Sequence, residues 1–569
     1  MRWRSRLVWT VPFLLFSLLL AVPLASILQQ AFFAQGAFSL SSVASVLSDP
    51  YFQQIARFTA TQALWSALAS AALGLFWAFV LTRYEFPFKR TLRALTVLPF
   101  VLPAVSLALG FVLVFGKQGM VNTALMAAFG LTDSPFSILY SLQAIVLAHA
   151  FYNAPIVARL THAAWEKLDP SYEENARALG ASPFSTFLTV TLPLLLPSIL
   201  AGTALAFIYS FLSFPIVLTL GGARYATLEV EIYIQTIVSR DLDVASALAF
   251  VQLTLSLGFT AGYLWLERRL TRPLESVRTR RTVPLFRLRT PPHRGAGRKG
   301  FSFLRTLRLC SMRVLLWAAL LIAGAFFAAP LLGVMLSSFQ SVHGAWTLAA
   351  YRYVLDPTEN PFIGSSPLRS VLDSLRFASG AMLLALLLGG PLAWAIARRR
   401  LTGVSVWVML PLAISSVALG FGLLRAFSHP ALSWLDRGVA VVLAHTLLAL
   451  PFVVRALASA FGTLDPALSE AARSLGASRR KAFFQVELPL LRGAVLAGAA
   501  FAFAISIGEM SATSMLAQPG LKTMPLAIYS FLGARQADTL AAASAMSTVL
   551  IAVTALSFVL IERGGERAI

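Results

Sequence analysis

Twelve stretches of this chain are long and apolar enough to cross a lipid bilayer, and nothing else limits the fold so strongly. About 20 apolar residues span the hydrocarbon core as a helix. Within that core only a structure that satisfies its own backbone hydrogen bonds persists. The stretches lie near 8–30, 58–83, 94–115, 138–160, 190–217 and 244–266, then near 314–337, 371–397, 404–426, 438–459, 486–513 and 540–561. The expected fold is therefore an all-α polytopic membrane protein with about 12 transmembrane helices in two sets of six. Composition agrees: 58% of the 569 residues are apolar and 12% are charged, about half the charged share of a soluble domain. A soluble globule and a disordered chain are excluded. A disulfide scaffold is excluded too, since Cys310 is the single cysteine.

Charge gives the division and the orientation. Lys and Arg number 46 against 24 Asp and Glu, a net charge of +22. From Arg268 to Arg313 the chain carries 14 basic residues and one acid, Glu275, with Pro273, Pro284, Pro291 and Pro292. No aromatic interleaving accompanies this run, so it is read as a basic cytoplasmic linker, 268–313, and not as a nucleic-acid surface. It separates a first half, 1–267, from a second half, 314–569. An N-terminus inside the cell puts Arg83 to Arg93, the linker and Arg398 to Arg400 all on the cytoplasmic side, as the positive-inside rule requires. Both termini are then cytoplasmic. Arg2, Arg4 and Arg6 precede an apolar stretch, Leu7 to Phe33, that is too long for a signal-peptide core, so it is expected to be a retained first span.

The two halves repeat each other. Residues 146–195 and 442–491 align without a gap at an offset of 296, with 24 identities in 50. The matches include His149 with His445, Pro155 with Pro451, Arg159 with Arg455, and Leu168-Asp-Pro170 with Leu464-Asp-Pro466. General apolarity does not align His, Pro, Arg, Asp and Gly together. Ser106 to Phe111 resembles Ser416 to Phe421 at a different offset, 310. Each matched loop follows the fourth span of its half, so the repeats are parallel, unlike the inverted repeats of many secondary transporters.

The matched loops, about 168–184 and 464–480, have a local logic. Asp169 and Asp465 suit a helix N-cap, and Pro170 and Pro466 suit the first turn. A short helix follows, and Gly180 and Gly476 suit the left-handed residue that ends it. Ala176 and Ala472 permit close approach of a partner. Glu174, Arg177, Glu470 and Arg473 offer polar contacts. Two such loops on one face fit a twofold-symmetric partner.

Glu173-Glu-Asn-Ala-Arg-Ala-Leu-Gly-Ala and Ser469-Glu-Ala-Ala-Arg-Ser-Leu-Gly-Ala resemble the "EAA" loop of binding-protein-dependent ABC importer permeases. The resemblance covers nearly the whole chain as two fused permease halves in a bacterial cytoplasmic (inner) membrane. It implies that each loop is a coupling helix seated on a separate ATPase subunit, with Glu174, Ala176, Arg177, Gly180, Glu470, Ala472, Arg473 and Gly476 in that role. It also implies two copies of the cytoplasmic ATPase, an extracytoplasmic solute-binding protein, and a cycle of alternating access. Asn175 departs from Ala471 of the second copy. The chain has no G-x-x-x-x-G-K-[ST] motif, and Gly295 to Gly300 does not supply one. It is expected to bind no cofactor itself, with ATP and magnesium on the partner subunits.

Leu98 to Pro103, Phe115 to Gly119, Leu220 to Tyr233 and Ser506 to Met510 resemble the ferric-iron and thiamine importer group. Ferric iron is the solute expected from this resemblance, with thiamine the alternative. Glu509 is the candidate pathway residue, because a charge within a span is costly and usually faces an interior or a cavity. A structural carboxylate paired inside the bundle is the other reading. Ser213 stands at the matched position. His149 and His445 are read as structural hydrogen-bonding groups and no metal site is expected. Glu229 and Glu231 are read as a solvated outer loop face, with contact to a docking protein or a cation as the other reading. An ion-coupled secondary transporter would place coupling acids at mid-membrane and needs no duplicated docking loop. A membrane enzyme would need a nucleophile–base pair or paired carboxylates.

Overall fold

A computed structural model describes residues 2–34, 37–86, 102–270, 299–341, 345–430, 434–534 and 536–566, with residues 89, 283, 284 and 432. Among the described residues, eleven helices are long and apolar enough to cross a membrane, or up to twelve when one sharply bent pair is taken as a span. In the first half, α1 (Arg2–Phe32), a short α2 (Ser41–Ser48) and α3 (Pro50–Arg83) are followed by α4 (Ala104–Phe115), α5 (Met120–Phe129) and α6 (Leu142–Glu166). Then come α7 (Ser171–Ala178), α8 (Pro183–Thr186), α9 (Leu192–Phe211), α10 (Pro215–Leu220), α11 (Leu228–Tyr233) and α12 (Leu242–Leu270).

The second half repeats the order. It runs α13 (Lys299–Ser338), α14 (Ala349–Val354), α15 (Pro367–Arg399), α16 (Thr402–Met409), α17 (Ser416–Phe427) and α18 (Arg437–Thr463). It continues with α19 (Pro466–Ser474), α20 (Arg479–Ala482), α21 (Leu488–Ile507), α22 (Ser511–Leu516), α23 (Met524–Ala534) and α24 (Ala537–Glu566). Two-residue strands pair Phe33–Ala34 with Ala37–Phe38, and Tyr84–Glu85 with Val283–Pro284. Most of the expected linker lies outside the described residues, but Lys299 to Arg313 is helical and continuous with α13.

Each half packs around three helices, α3 with α6 and α9, and α15 with α18 and α21. Lipid offers apolar side chains no disadvantage over a neighbouring helix, so close packing of small residues carries the association. The first span of each half reaches across to the other half: α1 lies on α17, and α13 lies on α4. A Cβ on Gly110 would stand 2.5 Å from the carbonyl oxygen of Pro330, and one on Gly422 would stand 2.3 Å from that of Pro23. Glycine is required at both crossings because any side chain would force the spans apart. These contacts correct the alignment: Gly110 corresponds to Gly422, an offset of 312, and not to Gly420 as the letters at 310 suggested. Gln30, near the end of α1, bonds both Asp243 of the first half and Arg425 of the second.

Two expected spans of the second half are not simple rods. The one near 404–426 is a pair of helical pieces bent by 95° between Ala413 and Ser416. Pro411 lies in a 3-10 turn, Ile414 is extended, and Ser415 starts a new helix by accepting a hydrogen bond from the Ala418 N–H at 3.1 Å. The span expected to reach residue 513 stops at Ile507. Gly508, a poor helix former, ends it, and a separate short helix, α22, begins at Ser511.

Candidate coupling surface and inter-half seam

The two matched loops fold alike. Asp169 Oδ1 accepts from the Ser171 N–H at 2.9 Å, and Asp465 Oδ1 from the Ala467 N–H at 2.9 Å. Each thereby satisfies a backbone donor that a helix start leaves open. At the other end Gly180 has φ +93° and Gly476 φ +90°. The Ala181 N–H bonds the Ala176 carbonyl at 3.0 Å, and the Ala477 N–H bonds the Ala472 carbonyl at 3.0 Å. This is the 6→1 closure of a glycine-capped helix. Ser182 and Ser478 then cap α8 and α20, and a single π turn, Phe187–Thr191 or Phe483–Glu487, leads into α9 or α21.

What faces outward differs in part from expectation. Glu174, Arg177, Gly180, Glu470, Arg473 and Gly476 are exposed, and Ala176 and Ala472 are half-buried. Leu179 and Leu475 are each 90% exposed on otherwise polar helices. Sequence reasoning assigned these leucines no role. The signal was present, since both copies hold leucine between Arg and Gly where a solvated helix would take any polar residue.

Glu173, not Glu174, anchors the first loop. It is buried, and its carboxylate meets Arg83 at 2.8 Å and Arg177 at 3.3 Å. Thr191 Oγ1 donates to it at 2.7 Å. Arg177 pairs with Glu173 within α7 and remains exposed, while Glu173 ties the helix to Arg83 of the bundle. Arg83 also lies over the buried Trp165 ring, 5.9 Å from its centre. In the second half Ser469 stands at the position of Glu173, and Glu487 at that of Thr191. Ser469 donates to Glu487, and Arg398 donates to the Leu464 carbonyl at 3.0 Å.

Deeper in the bundle, Glu509 lies between α21 and α22, and its carboxylate caps α22. It accepts from Ala512 N–H at 2.8 Å, Thr513 N–H at 3.0 Å and Thr513 Oγ1 at 2.8 Å. His445 Nε2 stands 3.4 Å away, and the His445 ring also bonds Ser506 at 2.6 Å and Thr513 at 2.8 Å. His149, its repeat counterpart, bonds Ser66 at 3.1 Å. Among the described residues no group of three His, Cys, Asp or Glu is placed to hold a metal ion.

Glu229 and Glu231 correct the sequence reading. Both are buried, because α11 folds inward against the bundle and does not form a solvated loop. Glu231 accepts from Tyr51 at 3.2 Å and from Gln235 at 2.7 Å, and Glu229 accepts from Gln252 at 3.3 Å. Their helix is six residues long, too short and too charged to be separated from a polar loop by pattern alone.

Known proteins resemble this one along its length. The family described as "binding-protein-dependent transport system inner membrane component" matches residues 70–272 and again 381–564. The thiamine transport system permease protein of Escherichia coli (strain K12) is 28% identical over 91% of this chain and 90% of that protein. A probable ABC transporter permease protein of Sinorhizobium fredii is 27% identical over 95% of this chain and 93% of its own. A putative 2-aminoethylphosphonate transport system permease protein of Salmonella paratyphi A is 30% identical over 45% of this chain and 90% of its own length. Among solved structures, a chain of a bacterial ABC transporter involved in importing the polysaccharide alginate overlays 48% of this chain with a TM-score of 0.38 and 18% identity, too distant to bear on function. With the family matched twice in one chain, and with a multi-pass helical fold, this protein belongs to the binding-protein-dependent transport system inner membrane components and is an ABC importer permease.

Proposed function

We propose that the chain is a fused double permease that imports thiamine. The observation that carries the transport reading is the pair of identically capped helices whose Leu179 and Leu475 are left 90% exposed. An apolar side chain so bare at the end of a charged helix fits a pocket on another protein. Two copies of a cytoplasmic ATPase seat on α7 and α19, bind ATP and magnesium, and drive the cycle. A solute-binding protein delivers its cargo on the opposite face. Both termini and the basic 268–313 segment then lie in the cytoplasm, between halves 1–267 and 314–569.

Closure of the ATPase pair draws α7 and α19 together. The Glu173 and Glu487 anchors pass that movement to α3, α9 and α21. The seam between the halves opens outward, receives solute, and releases it inward after hydrolysis. Glu174, Ala176, Glu470 and Ala472 line the docking faces, and Gly180 and Gly476 set their shape. Glu509 serves the seam by fixing α22 against His445.

For the solute, the relatives are the support. Full-length similarity to thiamine permeases supports thiamine over the ferric iron that the sequence resemblance favoured. The test is uptake of labelled thiamine and labelled ferric iron in cells lacking this chain, with and without its restoration. Thiamine uptake that returns with the chain supports the reading. Return of iron uptake alone sinks it.

A further inference from the structure

Two helix breaks and one buried acid meet where the halves touch. The bend before Ser415 and the stop at Gly508 both lie in the second half. A Cβ on Gly508 would be 3.4 Å from the Cβ of Pro103 in the first half, so the halves close on each other here. Broken helices persist inside a membrane protein only where protein buries them or a cavity passes them. In transporters they mark the solute path.

Glu229 of the first half lies at this seam. It is fully buried, with the Ser415 hydroxyl of the second half beside its carboxylate and Gln252 donating to it at 3.3 Å. The Glu509 carboxylate is near enough to repel it. The two acids are held differently. Glu509 has three donors and His445 on it. Glu229 Oε2 and Gln252 Oε1 are buried with no hydrogen-bond partner. A carboxylate oxygen left without a donor in a closed interior is costly, and native structures retain such a group for a purpose.

We propose that Glu229 is a cation-recognition point on the translocation path. When the seam parts, Glu229 Oε2 meets the positive charge of the solute, Gln252 holds the carboxylate, and Glu509 adds to the negative field. The class of ligand is an organic cation. This rests on the thiamine reading above, since the thiazolium ring of thiamine carries a permanent positive charge.

The test uses cells whose own copy is replaced by full-length variants, with initial rates of labelled thiamine uptake divided by the amount of chain in the membrane. Glu229→Gln should lower uptake at least tenfold, and Glu229→Asp should retain most of it. Glu229→Gln combined with Gln252→Glu moves the charge to the touching side chain and should recover a substantial part of the lost rate. Wild-type uptake by Glu229→Gln overturns the proposal and leaves the thiamine reading intact. Loss in Glu229→Gln with no recovery in the charge-swapped pair, at equal amounts of chain, shows a merely structural carboxylate and also overturns it. If the unmodified chain restores iron uptake and no thiamine uptake, the thiamine reading fails. The same variant pattern, read on iron, then decides the recognition point. If it restores neither, both fall.

Discussion

Glu173 and Thr191 share a 2.7 Å hydrogen bond that fastens α7 to the start of α9. The second half keeps the bond and exchanges its ends, with Ser469 as donor and Glu487 as acceptor. A carboxylate and a hydroxyl can trade places across a short gap because either order leaves one donor facing one acceptor. The exchange predicts a rescue. Glu173→Ala removes the 2.8 Å contact with Arg83 and should destabilise the first loop by about 2 kcal/mol, less than a fully buried pair would cost because Arg83 is partly exposed. Glu173→Ser together with Thr191→Glu should regain most of the lost thermal stability of the purified chain. A double variant no better than Glu173→Ala would show that the two ends are not interchangeable.

Leu179 and Leu475 make the cleanest test of docking. Both are 90% exposed, so changing them removes no internal packing. Leu179→Asp with Leu475→Asp should leave the amount and melting temperature of the chain unchanged while the ATPase subunit no longer co-purifies. Normal co-purification would place the docking surface elsewhere.

Gly180 and Gly476 separate backbone strain from crowding. A Cβ at either site would meet nothing within 4 Å, yet φ is +93° and +90°. Gly→Ala at either position should therefore cost roughly 1–2 kcal/mol from the left-handed backbone alone. Asn, which tolerates that region, should cost less. ATP hydrolysis in the assembled importer should become less dependent on solute as the loop distorts. Equal effects of Ala and Asn would point to some cause other than φ.

Pro103 and Gly508 allow the seam to be locked. Their Cβ positions, 3.4 Å apart, fall close to the separation a disulfide needs. With Cys310→Ser as background, Pro103→Cys and Gly508→Cys should cross-link on oxidation, stop uptake, and recover on reduction. Cross-linked chain that still transports would mean that the halves do not part here.

Glu509→Gln should be harmful for a structural reason. Its amide nitrogen would face backbone or hydroxyl donors now 2.8–3.0 Å from the carboxylate. A loss of about 1–3 kcal/mol is expected from the mismatched donors. The melting temperature of the chain should fall, whereas Glu229→Gln, which meets no backbone donor, should leave it nearly unchanged. A Glu509→Gln chain as stable as the parent would remove the capping role of this carboxylate.

Much of the molecule was legible in its letters. The spans follow from apolar length, the repeat from shared His, Pro, Asp and Gly at one offset, and the loop ends from the chemistry of Asp and Gly, which is local. These features hold wherever the chain is placed, because bilayer thickness and backbone sterics act within one segment at a time. Other features needed the packed chain. Glu173 and Glu174 are adjacent and identical in type, and only the position of Arg83, on α3, decides which one is buried. The offset of 312 over 310 was settled by Pro330 and Pro23 crossing from the opposite halves. Glu229 reads as a loop acid until α11 folds inward and Gln252 and Ser415 close around it. A pair contact between distant segments leaves no periodic trace in either one, so the tertiary structure alone decides it.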